Sequence, residues 1–287
     1  MTSPEPFGAR LRTALDTRGP LCVGIDPHPS LLRAWGLEDD VAGLERFARQ
    51  TVDALADRVA VLKPQSAFFE RFGAKGIAVL ERTVADARSA GALVIMDAKR
   101  GDIGSTMAAY AFAYVEKSSP LFSDALTVSP YLGFGSLRPV LDVAHVSGAG
   151  VFVLALTSNP EGAEVQRAST RGAGAKETVG AATTVAQAML DHIALENAGA
   201  SPLGSVGAVV GATIGSARAD LDINGPLLAP GLGAQGAVPA DLPRVFGAAL
   251  PNVVPSASRS VLGHGPDPQA LRDAASRLAD EVRSVIG

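Results

Sequence analysis

Eight short runs of uninterrupted apolar residues recur along this chain, spaced so that a helix fits after each. They cover 21–25, 59–63, 92–97, 125–128, 151–156, 207–211, 226–230 and 252–255. A strand with one wet face alternates apolar and polar residues. Continuous apolarity marks strands covered on both faces, the usual condition of parallel strands flanked by helices. Helical patterning is expected over 40–57, 67–90, 105–117, 136–145, 176–198, 216–222, around 240–248 and over 267–285. Eight such units predict an α/β fold, a closed (β/α)8 or TIM barrel, with residues 1–287 forming a single domain.

A doubly wound open sheet is the competing architecture, and it would place a glycine-rich turn after the first strand. Here the first run leads into GIDPHPS, with proline instead, while the glycine-rich PGLGAQGAV follows the seventh run. Barrels commonly build phosphate sites after strands seven and eight, so the placement favours the barrel. A polar connection at about 158–180 is long enough to be a surface excursion. No internal repeat and no linker-like break divides the chain.

Composition narrows the classes of function. The net charge is −4 and no window gathers Lys and Arg into a basic stripe, which argues against a nucleic-acid partner. No segment reaches the roughly 18 apolar residues of a membrane span, and the first residues lack the apolar core of a signal peptide. A cytoplasmic protein is expected. Cys22, within LCVGI, reads as a small core hydrophobe. His28, His145, His192 and His264 stand at no ligand spacing, so no metal site is expected.

The functional face of a barrel is the carboxyl end of its strands, so charged residues that close apolar runs are the ones to collect. Asp26 closes the first run, Lys63 the second, and the third ends in VIMDAKRGDIGST, with Asp97, Lys99 and Asp102. On an extended segment Asp97 and Lys99 point the same way. Gly101 is expected to permit the turn that brings Asp102 round, with Ser105 or Thr106 capping the next helix. An alternating Lys and Asp array is costly to bury unless mutually paired. Lys99 between carboxylates would keep its proton and could donate it. After the seventh run, Gly231, Gly233 and Gln235, with Arg259 beyond the eighth, make a plausible grip for a phosphate monoester.

The ordered motifs GIDP, LKPQ, DAKRGDIGST, TSNPEG, PGLGAQG and SASR resemble those of the orotidine 5'-phosphate decarboxylases, in their longer bacterial subgroup, from Phe7 to at least Arg259. The resemblance implies decarboxylation of orotidine 5'-monophosphate to uridine 5'-monophosphate, the last step of pyrimidine nucleotide synthesis, without metal or organic cofactor. It implies that Lys99 lies near C6 of the pyrimidine and protonates it, that Asp97 faces the scissile carboxylate, and that Lys63 links Asp97 to the ribose, which Asp26 also binds. Ser158 would recognise the pyrimidine edge. The residues matching Asp102, Ile103 and Thr106 would enter the site of the opposite subunit, which makes the active unit a homodimer.

Three other readings compete. A magnesium-dependent sugar-phosphate lyase or decarboxylase shares the DxKxxD strand, but its relatives carry an acidic residue where this chain has Lys63. A Schiff-base aldolase would need a lysine of lowered pKa, and Lys99 beside carboxylates is biased the other way. A non-enzymatic sensor of phosphate ligands would have no need of the Lys and Asp array.

Overall fold

In the computed structural model, which describes residues 4–170, 183–215 and 217–287, all eight apolar runs become strands. They are β1 (Cys22–Ile25), β2 (Val61–Pro64), β3 (Leu93–Arg100), β4 (Ala125–Val128), β5 (Gly150–Leu156), β6 (Val206–Val210), β7 (Leu227–Pro230) and β8 (Val253–Ala257). Each pairs in parallel with the strand before and after it, and β8 closes onto β1. The result is the (β/α)8 barrel that the apolar runs predict. No described helix is long and apolar enough to cross a membrane.

The helical layer follows local signals. Helix Val41–Leu55 starts at Asp40, whose carboxylate accepts from Gly43 N at 2.8 Å, and Pro268–Ile286 starts at Asp267, which accepts from Gln269 and Ala270. Each carboxylate thereby satisfies a first-turn amide that has no partner within the helix. The helix expected over 67–90 is two, Ser66–Glu70 and Gly73–Ser89, broken where Gly73 takes φ +60°. The one expected over 176–198 runs from Val185 to Glu196, capped by Thr184; residues 171–182 lie outside the described residues.

Two expectations differ. Residues 217–222 form no helix. Asp220 instead accepts from Asp222 N at 3.0 Å, and Arg218 and Asn224 take φ +46°, so side-chain turns win over a helical ladder. Conversely, helix Phe7–Arg18 was not expected, because it follows no strand. Its apolar stripe was nonetheless legible, with Phe7, Leu11 and Leu15 spaced four apart and all buried. The described part of the connection at 158–180 contains helix Ala163–Gln166, and Ser169–Thr170 pairs with Thr183–Thr184 in a two-residue antiparallel ladder.

That first helix is the floor of the barrel. Every strand contributes one buried residue to the cluster packed on it: Cys22, Val61, Ile95, Ala125, Phe152, Val209, Leu228 and Val254. Phe7 meets Phe152 edge to face at 5.9 Å, and a Cβ on Gly150 would sit 2.2 Å from the Phe7 ring. Asp124 fastens the helix, accepting from Arg10 Nη1 at 2.5 Å and from Val94 N at 3.0 Å. The amino end is thus sealed with hydrocarbon, which leaves the carboxyl end for chemistry.

Removing the plug should be felt across the barrel. Phe7→Ala leaves a void in the barrel floor beside Gly150 and Phe152 of β5 and should lower unfolding free energy by about 3–5 kcal/mol. Urea denaturation followed by far-ultraviolet circular dichroism measures it, and a loss under about 1 kcal/mol would mean that the helix does not close the barrel.

Candidate active site

Side chains on a strand alternate between faces, so the residues two beyond the apolar floor also point inward. That second layer contains Gly24 on β1, Lys63 on β2, Asp97 on β3, Thr127 on β4 and Ser256 on β8, and it is here that polarity enters. Asp97 is its centre. One carboxylate oxygen accepts from Lys63 Nζ at 2.7 Å and Gln65 Nε2 at 3.2 Å. The other accepts from Lys99 Nζ at 2.5 Å and Thr127 Oγ1 at 2.9 Å. Four donors from three strands and one loop end therefore converge on a carboxylate whose side chain is 9% exposed.

The electrostatics follow from that burial. Loss of solvent opposes the charge on Asp97, but Lys63 and Lys99 outweigh it and hold the carboxyl well below the usual carboxylate range. Burial likewise opposes the Lys63 ammonium, and the carboxylates of Asp97 and Asp26 more than restore it, leaving its pKa raised. Beneath them burial pushes the Cys22 thiol up to about 11, an effect that the Lys63 ammonium opposes without overcoming. Cys22 is a core residue, as its setting in LCVGI predicts.

Lys99 reaches Asp97 by a different route from simple strand alternation. The β3–β4 register shifts between Met96 and Arg100, and Lys99 takes φ +48°, a left-handed conformation rare outside glycine. Its own N–H donates to Thr127 Oγ1 at 3.0 Å, so Thr127 fixes both the Lys99 backbone and its carboxylate partner. The turn expected at Gly101 is made at Lys99 and at Gly104, which has φ +53°. Gly101 is needed for close approach, since a Cβ there would lie 2.5 Å from the Ser129 carbonyl oxygen. Neither Ser105 nor Thr106 caps the next helix, Gly104–Tyr114.

Asp102 does not join this array within one chain. The turn sends it outward, where its carboxylate accepts from Ile103 N at 2.8 Å, while Ile103 is 62% exposed and Thr106 is exposed. The centre is therefore one carboxylate between two ammonium groups, in place of one ammonium between two carboxylates. Asp26 stands beside it, with Oδ1 buried and without a partner among the described residues.

The second end of the site lies around β7 and β8. Gly231 takes φ +112° and Gly233 φ +78°, and a Cβ on Gly233 would collide with Ser260 at 2.7 Å, so the loop rests on the residues after β8. The Gly233 N–H donates to the Ala237 carbonyl, and Gln235 folds back over Gly231. Arg259 opens the short helix Arg259–Leu262; it is exposed and has no ion-pair partner among the described residues. Ser158 is exposed on the rim of a hollow of about 290 Å³, lined by Gln166, Arg167, Thr213 and Ile214 among others, and apart from Asp97 and Lys99. Among the described residues no group of three or more His, Cys, Asp or Glu could hold a metal ion.

Thr127 and Gln65 are the residues that sequence reasoning missed. Gln65 is the last residue of LKPQ, and Thr127 lies two beyond an inward alanine in ALTV, so layer counting would have found both.

Fold and site together define a (β/α)8-barrel protein whose carboxyl-end centre is a buried carboxylate clamped by two lysines. The chain belongs to the orotidine 5'-phosphate decarboxylase / HUMPS family, whose family model matches residues 19–274. It is 71% identical over 283 residues to an orotidine 5'-phosphate decarboxylase of Streptomyces coelicolor, covering 98% of this chain and 99% of that one. A namesake from Salinispora arenicola is 64% identical over the same length, with the same coverage. Among solved structures, a candidate orotidine 5'-phosphate decarboxylase from Streptomyces avermitilis matches with TM-score 0.93 at 69% identity, covering 99% of this chain and 97% of that one.

The paired charges fix a pH window. Asp97, lowered in the folded state, contributes stability that is present above the ordinary carboxyl value of 3.8 and lost as pH falls through its lower folded value. Lys63, raised, contributes stability that is present below 10.5 and lost as pH rises through its higher folded value. Asp97→Asn, which leaves a buried ammonium unpaired, should therefore cost about 3 kcal/mol. The deficit should stay constant between about pH 5 and pH 9. Urea titrations across that range check it; a deficit already shrinking at its acid end would mean that the lysines do not hold Asp97.

Proposed function

We propose that this chain decarboxylates orotidine 5'-monophosphate to uridine 5'-monophosphate in pyrimidine nucleotide synthesis, as a cytoplasmic homodimer needing no cofactor. The observation that carries the reading is the Lys63–Asp97–Lys99 array at the barrel mouth of a chain 71% identical to a relative of that name.

In the reaction the bond between C6 and the carboxylate breaks, carbon dioxide leaves, and the electron pair stays on C6. The pyrimidine offers no good sink for that pair, so the protein must stabilise it. Lys99 supplies a positive charge near C6 and then the proton, its Nζ forming the new C–H bond. Asp97 keeps that ammonium in place before the charge develops, so no reorganisation is needed at the moment of reaction. It also faces the departing carboxylate. Lys63 neutralises Asp97 from behind and carries the link to the ribose. The buried, unpartnered oxygen of Asp26 is an acceptor for a ribose hydroxyl.

At the far end, Arg259 grips the phosphate bidentately, with Gln235 and the backbone around Gly231 and Gly233 completing the cradle. Because the Gly233 N–H is engaged within its loop, that glycine serves by close approach and its neighbours supply the amides. Ser158, on the loop after β5, meets the pyrimidine edge. Binding energy from the phosphate then supports closure of the loops over the reacting end.

The dimer follows from what one chain leaves exposed. Ile103, Tyr131 and Leu132 are each more than half exposed on the segments that directly follow β3 and β4, apolar side chains at the same rim as the site. Pairing across it would cover these side chains and carry Asp102, Ile103 and Thr106 into the partner's site.

Two measurements test the reading. Absorbance of orotidine 5'-monophosphate should fall rapidly with the wild-type protein in excess EDTA, and Lys99→Ala should be slower by at least about a thousandfold. Activity that needs magnesium and a sugar phosphate would instead indicate a metal-dependent sugar-phosphate enzyme of the same family. For the dimer, inactive Lys99→Ala and inactive Asp102→Ala proteins are mixed. Hybrid dimers should regain one intact site in two; no recovery after verified subunit exchange would place Asp102 in its own subunit.

A further inference from the structure

Behind the array lies a second polar cluster that none of the roles above uses. Arg100 follows Lys99 on β3, and its side chain points away from the barrel mouth toward the helical layer. There its Nη2 donates to Glu70 Oε1 and, at 3.2 Å, to the Tyr114 hydroxyl, while the guanidinium lies 5.5 Å from the Tyr110 ring and 5.7 Å from that of Tyr114. Glu70 Oε1 also accepts from Ser66 Oγ, and Ser66 is 1% exposed. Ser66 directly follows Gln65, and Gln65 donates to Asp97.

One carboxylate therefore joins the two backbone segments on either side of Asp97. Through Ser66 it holds the end of β2, which presents Lys63 and Gln65; through Arg100 it holds the residue after Lys99. The φ of +48° at Lys99 makes this connection consequential. A non-glycine residue leaves the left-handed region unless its surroundings over-determine it. On the amino side Thr127 holds the Lys99 N–H. On the carboxyl side the Arg100 carbonyl accepts from Ser129 N at 2.8 Å, and the Arg100 side chain is fixed by Glu70 and the two tyrosines.

We propose that Glu70 and Arg100 are positioning residues that hold Lys99 in its left-handed backbone conformation and so keep its ammonium on Asp97. The consequence for turnover rests on the reading of Lys99 as proton donor; the consequence for the geometry of Lys99 does not. Neither side chain bonds to Asp97 or lies in the loops proposed for the phosphate, so their loss should act on the chemical step and leave binding of the phosphate end intact. Without the anchor the backbone relaxes toward ordinary extended values, and the Lys99 side chain swings off its partner.

The test uses the full chain with Arg100→Met, which keeps the aliphatic stem, with Glu70→Gln, and with Arg100→Lys. Two readouts are taken. In turnover of orotidine 5'-monophosphate, Arg100→Met and Glu70→Gln should lower kcat by about 10- to 100-fold with KM within about threefold, and Arg100→Lys, which keeps the charge opposite Glu70, should recover most of the loss. A rise in KM with unchanged kcat, or full activity in both variants, overturns the proposal.

The second readout needs no turnover. Competitive acetylation with peptide mass mapping compares Lys99 with Lys75 and Lys117 in the same sample. Lys99 should label several times faster in Arg100→Met than in wild type, because its ammonium is no longer held on Asp97. Unchanged relative labelling overturns the proposal even if the wild-type protein proves to act on a different substrate, and faster labelling supports it in that case too.

Discussion

A carboxylate buried in the mouth of a barrel cannot keep its charge alone, and the rest of this site is arranged around that constraint. Asp97 stays ionised because two ammonium groups, a hydroxyl and an amide reach it. Those donors come from β2, its following residue, β4 and a distorted end of β3, so their convergence requires barrel closure in one register. A slip of one residue in any of these strands would turn its polar group outward and leave Asp97 short of a partner. Fold specificity and site geometry are the same requirement here.

The two layers of the barrel interior divide the work. Eight inward side chains and the first helix seal the amino end with hydrocarbon, and the polar layer sits directly above. An apolar floor keeps water from approaching the charges from below and leaves them in a medium where each Coulomb interaction is stronger than in solvent. Cys22, one layer beneath Lys63, is fully buried in that floor, and its burial pushes the thiol up. Preorganised charge is useful for stabilising a developing carbanion only under these conditions, so the Phe7 plug supports the chemistry proposed for the opposite end.

What could be read from the sequence was whatever repeats or alternates. Continuous apolar runs located all eight strands, and charged residues closing those runs located Lys63, Asp97 and Lys99 together. What escaped was geometry that breaks the pattern. The helix Phe7–Arg18 stands outside the strand–helix repeat although its stripe was visible. The stretch 217–222 has helix-compatible residues but uses Asp220 to close a turn. At Lys99 a left-handed backbone replaces strand alternation, and no residue type announces it, because lysine has no preference for that region. Thr127 was hidden for a different reason: a threonine inside an apolar strand carries no charge to mark it, and only counting inward layers shows that it faces Asp97.

The distortion at Lys99 connects the two halves of the DxKxxD motif. Had β3 continued regularly, Asp97 and Lys99 would have faced inward in succession and the chain would have run on toward the rim. The left-handed turn instead places the ammonium back on Asp97 and throws the next residues away from the mouth, so Arg100 anchors in the helical layer, Asp102 turns to the Ile103 N–H, and Ile103 emerges at the surface. A single chain cannot surround Lys99 with both carboxylates while keeping this turn, since the backbone that fixes the first removes the second. If Lys99 needs the Asp102 carboxylate in addition, that group has to come from another copy of the chain, and the exposed Ile103 beside Asp102 is where that copy would dock. Dimerisation is then a consequence of how Lys99 is held, which ties the proposed assembly to the same backbone feature as the proposed chemistry.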